Sequence, residues 1–138
     1  MAAVGARQDR RGVSGGAPAR VTVQVCVLCG EDDPAEGALP AGRRLFEALG
    51  AAAAATPEIT IEPVECLAVC DRVVTLAFRA PGKWSYLVGD ADPVGDVADI
   101  LAAARAVAAC RHGVPAMADR PPFFRRGTIA RLPPAPEA

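Results

Sequence analysis

The sequence contains no asparagine, one lysine (Lys83), one histidine (His112) and only six aromatic side chains among its 138 residues. Each shortage excludes something. With His112 alone, a histidine-rich metal site has nothing to recruit, and a catalytic triad has a single candidate base. With aromatics at 4%, the core has to be built from Ala, Val and Leu. Fourteen of the 15 basic residues are arginine; this bias is that of a G+C-rich genome, so arginine over lysine carries little chemistry. No run approaches the roughly 18 apolar residues that span a bilayer, so no membrane association is expected. No Gly-rich phosphate loop and no paired carboxylates at a catalytic spacing occur, which leaves nucleotide hydrolysis and glycoside cleavage without support.

The formal net charge of −1 removes the simplest case for nucleic-acid binding. It hides a division, because residues 1–20 and 111–138 each carry +3 while residues 21–110 carry −7. An acidic body between basic tails reads as solvated faces with arms, or as a docking surface for a basic partner. Arg10-Arg11 ahead of the apolar run 21–28 loosely resembles a twin-arginine signal. That run is short, includes Gln24, has no small-residue cleavage site and ends in a cysteine pair. Residues 1–19 are therefore expected to be a disordered leader, and the protein cytoplasmic.

Residues 20–28 alternate β-branched and polar side chains and predict a strand. Gly30 to Gly37 is acidic and turn-rich. Leu45, Phe46, Leu49 and Ala52 share one face of a helix expected over 40–55, which Pro57 ends. Glu58 to Val64 predicts a second strand, 65–72 a loop, and Val73–Arg79 and Trp84–Val88 a hairpin about Ala80-Pro81-Gly82-Lys83. Asp92-Pro93 reads as the start of a helix running to about Cys110. Six prolines in 111–138 predict an irregular tail. The domain organisation expected is thus a leader at 1–19, one domain at 20–110 and a Pro/Arg-rich tail at 111–138. The order β-α-β-β-β-α is that of a thioredoxin-like α/β sandwich with a four-stranded mixed sheet and two main helices.

Cysteines carry the chemical signal. Cys26 and Cys29 form C-x2-C at the end of the first strand; Cys66 and Cys70 form C-x3-C after the second. In a parallel βαβ unit those two places lie on one edge of the sheet, so the four sulfurs can converge. All-sulfur tetrahedral sites take zinc or iron–sulfur. A [2Fe–2S] cluster needs two thiolates per iron, one pair from each loop; Zn2+ is served equally by four cysteines. A dithiol redox pair at Cys26/Cys29 is the enzymatic alternative, with Glu31, Asp32 and Asp33 acting against it by raising the thiol pKa.

Pro63 to Cys70, followed by a hairpin and then Asp92-Pro93 opening a helix, resembles the thioredoxin-like [2Fe–2S] ferredoxins, in which E-C-L-x-x-C is the second ligand pair. A nearer likeness is to a bacterial family of uncharacterised, predicted metal-binding proteins, domain-of-unknown-function family 1636. It shares the Gly82-Lys83-Trp84-Ser85-Tyr86 hairpin and the ending Arg120-Pro121-Pro122 through Pro134. The resemblance implies metal ligation by Cys26, Cys29, Cys66 and Cys70. It also implies electron transfer through a [2Fe–2S] cluster, with a zinc or soft-metal module as the alternative. The ferredoxin group has four or more residues inside its first pair, where this chain has two, and the tighter bite favours zinc. No substrate pocket is legible, so an electron carrier or metal-binding protein is expected rather than an enzyme. Its partner would be a redox or metal-acceptor protein; the oligomeric state is not legible. Cys110 reads as structural, His112 as solvated, Trp84 and Tyr86 as sheet-face packing, and Phe123-Phe124 as an anchor for the tail.

Overall fold

The computed structural model describes residues 20–30, 39–69 and 71–136. The expected leader, the acidic stretch from Glu31 to Glu36 and Cys70 lie outside them. Strand β1 (Val21–Cys26) sits inside a five-stranded sheet beside β2 (Ile59–Val64), β3 (Leu76–Arg79), β4 (Ser85–Val88) and β5 (Thr128–Leu132). The sheet order is β2-β1-β3-β4-β5. Only β1 and β2 run parallel; the other neighbours are antiparallel. Helix α1 (Ala41–Ala52) makes the crossover between the parallel pair, as parallel strands require. Register places Cys26 opposite Val64, so the two cysteine-bearing loops leave the sheet at the same edge.

Period-2 patterning sets the faces. Val21, Val23 and Val25 are buried under helices, while Thr22 and Gln24 between them are half-exposed. Helix α1 and helix α2 (Val97–Ala109) both pack on β1 and on each other. Among the described residues, this leaves the opposite sheet face without a helix. Leu45 and Leu49, one turn apart, are fully buried from α1; Ile100, Ala104 and Val107 are buried from α2. Burying a Val, Leu or Ile side chain contributes about 1.5–3 kcal/mol, and the many alanines let the helices lie close to the sheet.

Two expectations are corrected. Residues 122–132 are regular: helix α3 (Pro122–Gly127) is followed by β5 on the edge of β4. The prolines start this helix because Pro122 is its first residue, where a missing N–H costs nothing. Among the described residues the sheet therefore has five strands, and the α-helices number three. Phe123 and Phe124 are buried, and the Phe124 ring lies 4.8 Å from that of Tyr86 and 5.3 Å from that of Phe78. Four of the chain's six aromatics thus form one cluster.

The second correction concerns α2, which starts at Val97. The Asp92 carboxylate accepts the Val94 N–H at 3.0 Å, and Asp96 Oδ2 accepts the Asp92 N–H at 2.8 Å. This local ring ties 92–96 into turns before the helix begins. The Val94 and Gly95 N–H groups hold the Asp92 carboxyl below its ordinary 3.8. At the other end of α2, Lys83 Nζ donates to the carbonyls of Ala108 at 2.6 Å and Val107 at 3.2 Å. That satisfies two of the acceptors a helix C-terminus leaves open. Burial draws this lysine below its usual 10.5.

Two glycines of α1 separate packing from propensity. A Cβ on Gly42 would stand 1.9 Å from the Cys26 carbonyl oxygen, whereas one on Gly50 meets nothing within 4 Å. We predict that Gly42→Ala destabilises the fold by about 1–3 kcal/mol or more through overpacking. Gly50→Ala should stabilise it by about 0.5–1 kcal/mol. Urea unfolding of the two variants in one buffer checks both signs, and equal effects would refute the packing of α1 on the Cys26 carbonyl.

Candidate metal centre

Strand β1 ends because Cys26 begins a tight turn. Its carbonyl accepts the Cys29 N–H at 3.2 Å, and the next carbonyl of the turn, that of Cys29, accepts the Gly42 N–H at 2.9 Å. The first turn of α1 is thus tied to the C-x2-C backbone, and Gly42 lets the helix approach this closely. The Cys26 N–H donates to the Thr75 carbonyl at 3.1 Å, and the Val27 N–H to that of Val64 at 2.9 Å. Four elements therefore fix the first pair, and both its thiols are buried.

The second loop wraps the first pair. Cys26 Sγ donates to the Glu65 carbonyl at 3.6 Å, and the Leu67 backbone favours the Cys26 thiolate. Ala68 has a φ of 67°, a left-handed conformation unusual for a residue with a Cβ. That conformation aims its N–H at Cys66 Sγ, 3.2 Å away. An N–H aimed at sulfur stabilises thiolate and would tune a thiolate-bound metal.

Burial is the largest influence on Cys26 and pushes its thiol above the ordinary 9.0. The Leu67 backbone opposes this; the hydrogen bond with Cys29, and charge on Cys29 or Cys66, add to it. Cys26 and Cys29 share one tight turn, and Cys26 Sγ bonds the Glu65 carbonyl, next to Cys66. Among the described residues, no three His, Cys, Asp or Glu side chains converge into a metal-holding group. The described cysteines are free: Cys26 and Cys29 buried, Cys66 exposed, Cys110 half-buried. The two cysteine loops meet at one edge of the sheet, and Cys70 lies outside the described residues. The three described thiols on these two adjoining loops, Cys26, Cys29 and Cys66, are soft sulfur donors, and a soft metal or cluster fits the chemistry of such a donor set.

Four supporting residues escaped the sequence reading. Thr75 is fully buried, and its hydroxyl faces the carbonyls of Arg72 at 2.9 Å and Val69 at 3.2 Å. Since its own carbonyl holds Cys26, one residue binds both cysteine loops. A polar residue inside the apolar run 73–78 was the available signal. Arg72 donates to Asp90 Oδ2 at 2.6 Å, and the Asp90 N–H donates to the Arg72 carbonyl at 3.1 Å. Ala68 gave no signal, because alanine does not announce a left-handed backbone. His112 contributes its carbonyl to the Trp84 N–H at 2.9 Å.

A family model described as "Protein of unknown function (DUF1636)" matches residues 23–134. Among solved structures, the chain is similar to a thioredoxin-like [2Fe–2S] ferredoxin from Aquifex aeolicus, with 21% identity and a TM-score of 0.52. The likeness covers 86% of this chain and 98% of that one, and shows that the fold is thioredoxin-like. No curated protein matches the chain. No helix among the described residues is long and apolar enough to cross a membrane.

The burial pattern orders the thiols by reactivity. In metal-free protein at neutral pH, iodoacetamide should label Cys66 first, with Cys26 and Cys29 slower by an order of magnitude or more; peptide mass spectrometry over time reads the order. The raised Cys26 pKa means that the folded state favours its neutral thiol. That contribution to stability is complete below the ordinary 9.0 and is lost as pH rises through the raised value. Stability of the metal-free wild type should accordingly fall more steeply above pH 9 than that of Cys26→Ala, measured by urea unfolding across pH.

Proposed function

The chain belongs to the DUF1636 family, and from that premise we propose that it is a small [2Fe–2S] ferredoxin-like electron carrier whose ligands are Cys26, Cys29, Cys66 and Cys70. The observation that carries this reading is the cysteine edge itself. Cys26 and Cys29 are buried on one tight turn, Cys26 Sγ bonds the Glu65 carbonyl of the loop that carries Cys66, and the Ala68 N–H is directed at the Cys66 sulfur. Bound there, such a cluster supplies one-electron chemistry, and the protein sets where the electron enters and at what potential. The buried first pair would hold its side of the group away from water. The exposed second loop would present the other side to a partner.

The partner is a redox or metal-acceptor protein. Its face would be basic, since Glu65 and Asp71 stand exposed on the second loop of a body that carries −7 over residues 21–110. Complementary charge of this kind speeds encounter and selects among partners. Free thiols at this spacing belong in a reducing compartment, and we assign the protein to the cytoplasm. One observation favours a second reading. The two-residue bite of the first pair suits a zinc site, which would make the chain a non-redox metal-handling module.

Elemental analysis of protein purified without oxygen separates these. We expect about two irons and two acid-labile sulfides per chain; one zinc without sulfide would overturn the carrier. Cys66→Ser should remove the bound metal and its visible absorption, and Cys110→Ser should keep both. Retention of full metal content by Cys66→Ser would refute the four-cysteine assignment.

A further inference from the structure

The helix-free face of the sheet carries a hollow of about 660 Å³ that no cysteine lines. This volume falls within the ~300–1,000 Å³ of small-molecule sites. Its floor follows from the strand register. Gln24, Ala77, Leu87 and Ala130 are cross-strand partners on β1, β3, β4 and β5, and form one row across the sheet. Along that row the side chains turn from polar on β1 to aliphatic on β4. Leu67 of the second cysteine loop also lines the hollow, and so does the segment Pro133–Pro136 beyond β5. A sheet face left to water would ordinarily be polar, so an aliphatic floor with a proline-rich wall is a feature to be accounted for.

The hollow is apolar along most of its length and polar at one end. Arg79 and Ser85 lie next along β3 and β4, and both also line an adjoining hollow of about 340 Å³. Arg79 is exposed, and its guanidinium has no hydrogen-bond or ion-pair partner among the described residues. The acid in that second hollow, Glu62, is engaged by Gln24 Nε2 at 2.7 Å. Lys83 also lines it, with its Nζ turned to the carbonyls that end α2. The polar end therefore offers a fork of N–H donors and a hydroxyl, and favours an anion.

We propose that this trough is a binding site for an amphipathic monocarboxylate. Its carboxylate would be held by Arg79 and Ser85, and its aliphatic body would lie on Ala77, Leu87 and Ala130 beneath the proline segment. The guanidinium fork matches a carboxylate in geometry as well as charge. The aliphatic row and the prolines remove a short alkyl chain from water. No cysteine lines the site, which meets the cysteine loops only at Leu67, and its acid-against-alcohol test does not depend on which metal they hold.

Isothermal titration of the full-length protein, as purified, with octanoate and with 1-octanol is the test. Octanoate should bind, and at least tenfold more tightly than the alcohol. Arg79→Gln, at an exposed position, should weaken octanoate about tenfold and leave 1-octanol unchanged. Leu87→Asn should weaken both, with far-UV circular dichroism and metal content as for wild type. Equal affinity for acid and alcohol, no binding of either, or an Arg79→Gln variant that binds octanoate normally would each overturn the proposal. So would sedimentation showing a dimer that Leu87→Asn dissociates, because a second copy would then cover this face.

Discussion

The backbone of Cys26 is the junction on which the rest of the structure depends. Its N–H is held by Thr75, the residue before β3, its carbonyl closes the turn to Cys29 and lies against Gly42, and its sulfur faces the loop after β2. A residue at the end of a central strand can be reached from all these directions because parallel β1–β2 pairing and the α1 crossover bring both loops to one edge. Deep burial follows from that crowding, and with it the raised thiol pKa. The same crowding explains why glycine and not alanine begins the contact of α1 with the strand end.

The two halves of the cysteine edge differ in how they are held. Ladder bonds, a helix terminus and the core fix the first pair. A few individual contacts fix the second loop: the Thr75 hydroxyl, an N–H group aimed at sulfur, and the Arg72–Asp90 pair. Arg72 and Asp90 are a third to a half exposed, so their ion pair contributes at most about 1 kcal/mol. Its effect is positional, because the same two residues also join through backbone at 3.1 Å. Thr75 works differently. Its hydroxyl is buried and lies between two carbonyls that each also accept a backbone N–H, so losing it strands neither acceptor but removes a tie between the loop and the strand, at a cost of about 0.5–1.5 kcal/mol. A stiff half that excludes water beside a more adaptable exposed half suits a site that must keep its ligands and still meet a partner.

How far this was legible depended on whether the signal was local. Alternation in 20–28 and 58–64, the 3–4 spacing in 40–55 and the turn at Pro81-Gly82 gave the sheet and the first helix, because each is written in neighbouring side chains. Cys26 and Cys29 were placed correctly at a strand end for the same reason. The C-terminal segment was misread because proline count was weighed without proline position. Pro121 and Pro122 initiate α3, and Phe123-Phe124 supply the burial that makes six residues of helix worth forming. The start of α2 was misread because Asp92-Pro93 is a good local cap, and Asp96 competes for it from four residues on. Gly42, Ala68 and Thr75 act through contacts distant in sequence, which no local pattern encodes.

A small chain poor in aromatics has few ways to build a core. Here the aromatic volume is concentrated under β3 and β4, where Phe78, Tyr86, Phe123 and Phe124 meet, while alanine-rich helices lie close against β1. That distribution requires α3 to return to the sheet after α2, and its return delivers β5 to the edge of β4. Without β5 the row through Leu87 would end at an open edge. With it, the helix-free face is wide enough to carry a trough, and Pro133–Pro136 leave β5 along that trough's border. Leu67 then stands at the meeting of two surfaces, its backbone favouring the Cys26 thiolate and its side chain lining the hollow.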